Sequence, residues 1–204
     1  MNKKVIIGAI AGVVLVGGVI AAIALNNKND GGDTNISGRT KETDEYALES
    51  VTSGDKIKVQ IAKDLGYEKS DSVTGSLILI HPTNGSEITF YYKHTSLDSI
   101  IAGEKSYSSS PYYDYREFEI DGRSANEVKY QKQDDGTPFR IEFNMAIGQD
   151  ESDKRYDGVS IRFQRPATEF DEKINIQDLY ESDDIQQMIK SIKLEKSTDD
   201  KSES

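Results

Sequence analysis

The sequence predicts an α+β protein, in which an N-terminal transmembrane helix precedes one domain with a mostly antiparallel sheet of about seven strands and helices packed on it. Three observations favour this fold class. An uncharged apolar segment lies near the N-terminus, alternating apolar and polar residues dominate the middle of the chain, and two segments show the apolar spacing of amphipathic helices. A mostly antiparallel sheet with helices on its faces is typical of the α+β class.

The segment Val5–Leu25 has 21 residues and no charged side chain. A helix of this length spans about 30 Å, which is the thickness of the hydrocarbon core of a bilayer. It is also longer than the apolar region of a cleaved signal peptide, which has about 7–15 residues. We therefore expect residues 1–25 to be a transmembrane anchor in the lipid bilayer. Cleavage after Ala24, within the A-x-A pattern 22–24, stays open as an alternative.

The charges on either side of this segment predict its orientation. Lys3 and Lys4 precede it, whereas on the other side Lys28 is balanced by Asp30. The positive-inside rule places the N-terminus in the cytoplasm and the rest of the chain outside. The expected location is a single-pass position in the cell membrane with an extracytoplasmic domain.

Composition excludes several classes of function. The 204 residues include 25 Lys and Arg against 36 Asp and Glu, which gives a net charge of −11, and no Cys. An acidic chain without a cluster of basic residues is not suited to nucleic acid. The absence of Cys excludes disulfides, thiol catalysis and thiolate zinc sites. We expect no cofactor.

Three changes in composition divide the chain after the anchor. Residues 26–45 are rich in Asn, Asp, Gly, Ser and Thr, so they predict a flexible linker. Residues 46–195 contain the alternating and helical patterns and predict the globular domain. Residues 196–204 are charged and Ser-rich, and predict an acidic disordered tail.

Period-two alternation predicts the strands of this domain. The alternating segments begin at Ile57, Val59 and Ile61, continue as a hairpin over 76–93, and recur at 115–120, 127–131, 139–147 and 159–163. The continuous apolar run Ser76–Ile80 predicts a central strand that is covered on both faces. The residues Pro82–Gly85 are suited to the hairpin turn.

Two segments change to the helical period. Thr95 and Asp98 resemble a capping box, which predicts a short helix that ends near Gly103. Ser182 is a suitable N-cap for a second helix, with acidic residues in its first turn. Its apolar positions follow the spacing i, i+3, i+4 and i+7: Ile185, Met188, Ile189 and Ile192.

Tyrosines crowd one segment of the chain and are the best candidates for a ligand-binding or partner-binding surface. They are Tyr107, Tyr112, Tyr113 and Tyr115, among several serines. Tyrosine offers a large contact area and a hydroxyl at a low cost in entropy. Rings that only cover a sheet edge are the alternative interpretation.

Acidic residues between two predicted strands are candidates for a calcium site. They are Asp150, Glu151, Asp153 and Asp157. Calcium prefers such oxygen ligands. The cluster is interrupted by Lys154 and Arg155, which favours a solvated hairpin end over a metal site.

Catalytic motifs are not found in the sequence. The two histidines, His81 and His94, are expected near opposite ends of one hairpin, and neither belongs to a nucleophile motif. We therefore expect a protein that is not an enzyme.

The order of elements over residues 46–195 resembles the PsbP-like fold. The residues that carry the resemblance are the opening strand 56–67, with Tyr67 where an aromatic residue is expected, and the closing segment 184–194. Members of that family open with an alternating strand that often ends in Pro, which is missing here, and close with a short helix leading into a Ser-Ile-Lys strand. The photosynthetic members assist a manganese–calcium cluster, a role for which no residue here is a match. The resemblance implies an extracytoplasmic domain on a membrane anchor, and such bacterial domains are mostly of unknown function.

These observations predict a non-catalytic, membrane-anchored domain that binds an envelope protein or a glycan. A calcium-responsive module that uses the acidic loop 150–157, and a cryptic hydrolase, are the alternatives.

Overall fold

A computed structural model of the chain describes residues 41–70, 73–102, 112–150, 154–166 and 173–197. These residues form ten strands: β1 Thr43–Glu49, β2 Lys56–Ala62, β3 Glu68–Lys69, β4 Ser76–Ile80, β5 Glu87–Thr95, β6 Tyr112–Ile120, β7 Arg123–Lys132, β8 Pro138–Gln149, β9 Tyr156–Gln164 and β10 Lys193–Glu195. Three α-helices accompany them: α1 Leu97–Ala102, α2 Ile176–Glu181 and α3 Asp183–Ser191. A single 3-10 turn, Lys63–Leu65, follows β2.

The strands are divided between two antiparallel sheets. The larger sheet has seven strands in the order β3-β4-β5-β9-β8-β7-β6, so β3 and β6 are its edges. The smaller sheet has three strands in the order β1-β2-β10. The closing strand β10 therefore returns to the beginning of the domain and pairs with β2.

The predicted fold class is wrong. Of the described residues, 53% lie in strands and only 18% in helices, and the strands form two sheets instead of one sheet covered by helices. Alternation shows that a segment is extended, but it does not show which strand is its neighbour. For that reason the sequence pattern did not separate β2 from the strands of the larger sheet, and it missed the short pairing of β10.

The predicted transmembrane helix Val5–Leu25 lies outside the described residues. Within the parts of the chain that the structure describes, every helix is too short or too polar to cross a bilayer.

One hydrophobic core joins both sheets to the last two helices. In β2 the core side chains are Ile57, Val59 and Ile61, which alternate with polar residues as a half-buried strand requires. The larger sheet contributes Phe90, Phe143 and Phe163 among others. Helix α3 packs on β2 and α2 packs on β8, so both helices and the smaller sheet cover the same face of the larger sheet.

The opposite face of the larger sheet is polar and still largely buried. Its side chains alternate with those of the core and include Thr89, Asn126, Glu142, Asn144 and Ser160, all of which are almost inaccessible to solvent. Helix α1 packs on this face, where its Ile100 side chain lies close to Gly158 of β9. The early helix and the two late helices are therefore on opposite faces.

Several local predictions are confirmed, and others need correction. The hairpin 76–93 is formed by β4 and β5, and Ser182 caps α3 by accepting a hydrogen bond from the Ile185 amide. The prediction that Ser76–Ile80 is covered on both faces is wrong, since only Leu77 and Leu79 are buried. The cap of α1 is Ser96 and not Thr95: the Ser99 amide donates to Ser96 Oγ over 3.2 Å.

Candidate functional site

A cleft of about 560 Å³ lies between α1 and the hairpin of β6 and β7. Its walls mix apolar and acidic residues: Leu97, Asp98, Ile101, Ala102, Tyr115, Glu117, Phe118, Glu119, Ser124 and Ala125. Ligand sites in proteins are typically concave, with apolar walls and a few polar groups. This cleft is therefore the candidate functional site.

Helix α1 forms one wall of the cleft, and its position follows from local sequence. Ser96 caps the N-terminus of the helix. The buried side chain of Ile100 packs the helix onto the larger sheet. The other wall is tied to it by Tyr115 of β6, whose hydroxyl donates to the Ile101 carbonyl over 3.4 Å. The cleft is the space that remains between a helix fixed at its middle and the edge of the sheet.

The lining of the cleft is acidic. Asp98, Glu117 and Glu119 contribute three carboxylates, and the ten lining residues include no Lys, Arg or His. The Glu117 carboxylate is a second acceptor for the single hydrogen of the Tyr115 hydroxyl, which it shares with the Ile101 carbonyl. Burial, together with that carboxylate, raises the pKa of Tyr115, so its hydroxyl stays a neutral hydrogen-bond donor. The cleft therefore favours a cationic group attached to an apolar stem.

A pair of buried amides lies beside the cleft. Asn126 is directly opposite Glu117 in the β6–β7 pairing, and its Oδ1 accepts from Asn144 Nδ2 over 2.8 Å. Its own Nδ2 has no hydrogen-bond partner within the described residues. A buried amide nitrogen without a partner is uncommon in folded proteins.

The predicted tyrosines are only partly placed by the structure. Tyr115 lines the cleft, and Tyr112, at the start of β6, is 45% exposed. Tyr113 also lies in β6, but its side chain and the whole of Tyr107 fall outside the described residues. Of the two tyrosine side chains that the structure describes, that of Tyr115 belongs to the lining of the candidate site.

The described residues of the acidic segment 150–157, the predicted calcium site, do not line the cleft. Asp157 is fully buried in β9, and its Oδ1 accepts from Tyr92 over 2.9 Å and lies 2.8 Å from His94 Nδ1. Its Oδ2 accepts from Lys196 Nζ over 2.7 Å. Asp150 is described, whereas Glu151 and Asp153 lie outside the described residues. Within the described ranges no group of three or more His, Asp or Glu is arranged to hold a metal ion.

The Asp157 cluster extends to a second carboxylate, that of Asp55. Lys196 Nζ donates to Asp55 Oδ2 over 3.1 Å, and the Ser197 amide donates to Asp55 Oδ1 over 2.7 Å. Burial alone would raise the pKa of Asp55, but these hydrogen bonds outweigh burial and lower it. Burial would lower the pKa of Lys196, and its two carboxylate partners raise it instead. The ammonium group thus supplies the positive charge that two buried carboxylates need.

The two histidines lie near opposite ends of the β4–β5 hairpin. His81 follows β4 at the turn and packs edge-on against the Tyr67 ring, with a centroid distance of 5.4 Å. His94 lies near the other end of β5, opposite Asp157 of β9. The expectation that they do not share a site is confirmed.

Several residues of these two sites were not singled out in the sequence. The alternating acids Glu117 and Glu119 were a usable signal, because residues at i and i+2 of a strand share a face. Lys196 lies in the segment 196–204, which the sequence predicts to be a tail. Its partnership with Asp55 and Asp157 joins residues 141 and 39 positions apart, so no local pattern indicates it.

Comparison with models of protein families and with curated proteins finds no match to this chain.

Proposed function

We propose that the chain is a membrane-anchored, extracytoplasmic domain that binds a basic segment of a protein partner in the cleft between α1 and β6. The observation that carries the proposal is the lining of that cleft, where the described residues supply three carboxylates and an apolar wall but no Lys, Arg or His. Lys and Arg side chains combine an apolar stem with a charged end, and therefore match both properties.

The rest of the proposal depends on sequence. The uncharged segment Val5–Leu25 supports a membrane anchor with the domain outside, and the resemblance to PsbP-like domains is consistent with such a location. Protease treatment of intact cells tests the location: the domain should be digested from outside while the N-terminus stays protected. Recovery of the intact chain in the soluble fraction would contradict it.

Binding of hexalysine to the full chain in a neutral detergent tests the cleft. The triple variant Asp98→Asn, Glu117→Gln, Glu119→Gln should weaken binding by about tenfold or more, since each exposed ion pair contributes about 0.5 kcal/mol and three contribute about 1.5 kcal/mol. Binding should also weaken as salt is added.

A matched control removes three exposed carboxylates elsewhere: Glu49→Gln, Glu68→Gln and Asp178→Asn. Both triple variants change the net charge by the same amount. If they weaken hexalysine binding equally, the attraction comes from the overall charge of the chain, and the cleft is not the site.

The calcium-responsive alternative has less support at Asp157, because both oxygens of this carboxylate already accept hydrogen bonds from other side chains.

A further inference from the structure

Strand β6 is an edge of the larger sheet, and the cleft runs along it. It has nine residues, and within the described part of the chain it pairs only with β7. A bulge between Tyr112 and Asp114 interrupts its beginning, which leaves 114–120 as regular strand. A long regular edge presents backbone groups that can pair with another strand.

The turn after β6 fixes which of its backbone groups point outward. Asp121 and Gly122 both have positive φ, of 50° and 75°, and they connect Ile120 directly to Arg123. This is the two-residue hairpin turn in which the flanking residues exchange hydrogen bonds with each other. Because bonding alternates along an antiparallel pair, Phe118 and Arg116 also bond to β7.

The amides and carbonyls of Glu117 and Glu119 therefore point away from β7, toward the side of β6 on which no described strand pairs. The side chains of these same two residues line the cleft. A strand that pairs with this edge would place every second side chain on the face of the cleft.

We propose that the partner's basic segment binds in an extended conformation, as an added strand on β6 that bonds to the backbone of Glu117 and Glu119. This inference rests on the proposed function and specifies how the partner is held. In strand addition the backbone bonds supply affinity and the alternate side chains supply specificity. Here the alternate side chains that meet the cleft are Lys or Arg.

A second copy of this chain does not fit the same edge. Two β6 strands side by side would bring together Asp114, Glu117 and Glu119 of both copies, and each chain carries a net charge of −11. Like charges on paired strands are destabilising. The occupant is therefore a basic segment of another protein.

A seven-residue peptide of alternating Lys and Val, blocked at both ends, tests the proposal on the full chain in a neutral detergent. Site-resolved amide hydrogen exchange should slow by about tenfold or more at Glu117 and Glu119 when the peptide binds. Exchange at Arg116 and Phe118, which already bond to β7, should change little. The same peptide with N-methyl groups on alternate residues, which blocks one edge of its backbone, should bind about tenfold more weakly or not at all.

A backbone variant gives a second measurement. Glu117→Pro removes an amide that points outward, and proline is tolerated at such edge positions. It should weaken peptide binding by about tenfold more than Glu117→Ala, which removes the same carboxylate and keeps the amide. Unchanged exchange protection of the core amides of β8 in both variants shows that the domain is folded.

The outcomes separate this inference from the proposed function. If hexalysine and the peptide bind but exchange at Glu117 and Glu119 does not slow, strand addition is overturned while the acidic cleft stands. Equal binding of the peptide by Glu117→Pro and Glu117→Ala would also overturn strand addition and leave the acidic cleft standing. If neither hexalysine nor the peptide binds, both proposals fail.

Discussion

Lys196 Nζ lies 2.7 Å from Oδ2 of Asp157, and this contact joins the two sheets of the domain. Lys196 directly follows β10 of the smaller sheet, whereas Asp157 is in β9 of the larger sheet. The Lys side chain is about half exposed, but the Asp side chain is completely buried. The carboxylate therefore depends on its partners for the stabilisation that water would otherwise give.

The variant Asp157→Asn should lower the free energy of unfolding by about 2–4 kcal/mol, because it removes a buried charge that Tyr92, His94 and Lys196 all contact. Denaturant unfolding measures the change. Asp114→Asn is the control: its side chain is 52% exposed and pairs with Lys129 over 3.4 Å, so it should cost less than about 1 kcal/mol. Similar losses in the two variants would show that the Asp157 cluster is not important for stability.

The lowered pKa of Asp55 predicts a loss of stability in acid. In the unfolded chain this carboxyl has its ordinary value of 3.8, whereas hydrogen bonds from Ser197 and Lys196 lower it in the folded protein. The unfolded state thus binds more protons as the pH falls, so the contribution of Asp55 is complete above 3.8 and decreases as the pH falls through its folded pKa.

Urea unfolding at several values between about pH 5 and pH 2 measures this dependence. The Asp55→Asn variant should be less stable at neutral pH and should lose less stability on acidification than the unchanged protein. An identical acid dependence in both proteins would argue that the bonds to Asp55 do not stabilise the folded state.

The sequence was sufficient for features that depend on neighbouring residues. The Ser182 cap, the apolar side of α3 and the β4–β5 hairpin all follow from spacings of a few residues, and the structure has them. The pairing of β10 with β2 joins residues about 135 positions apart, as Lys193 with Lys58. Such pairing depends on packing over the whole domain, and alternation does not encode it.

The candidate site also combines a residue that local sequence predicted with residues that only long-range packing brings together. Tyr115 was predicted as a binding residue because tyrosines are concentrated near it, and it lines the cleft. Asp98 and Glu119 line the same cleft because α1 packs on the polar face of the sheet, where Gly158 leaves room for Ile100. A glycine whose missing side chain allows a helix to pack closely on a sheet cannot be recognised from a single sequence.

The Ser182→Ala variant tests the beginning of α3. The Ser182 hydroxyl accepts from the Ile185 amide over 3.4 Å and donates to the Leu179 carbonyl over 2.7 Å, so it links α2 to α3. Its loss should lower the free energy of unfolding by about 1 kcal/mol. Ser76→Ala, which removes a hydroxyl 3.4 Å from the Val73 carbonyl, is the control and should change it by less than about 0.5 kcal/mol. If the two variants have the same free energy of unfolding, the Ser182 cap does not stabilise the domain.

The Gly158→Ala variant tests the link between packing and binding. A Cβ atom at this position would lie 2.7 Å from the Met145 carbonyl oxygen and 2.8 Å from Ile100 Cδ1, which is closer than real contacts allow. The clash with the Met145 carbonyl requires a local shift of the backbone between β8 and β9, and the clash with Ile100 requires its side chain, and with it α1, to move. We expect a loss of about 1–3 kcal/mol in the free energy of unfolding and weaker binding of hexalysine, since α1 is one wall of the cleft.

Gly148→Ala is the matched control for this variant. The added Cβ would meet only the end of the Leu194 side chain, at 3.2 Å, and that end can move. It should leave hexalysine binding unchanged and cost less stability than Gly158→Ala. If Gly158→Ala is destabilised and still binds hexalysine with full affinity, the position of α1 does not matter for binding. The acidic residues of β6 alone would then have to account for the attraction.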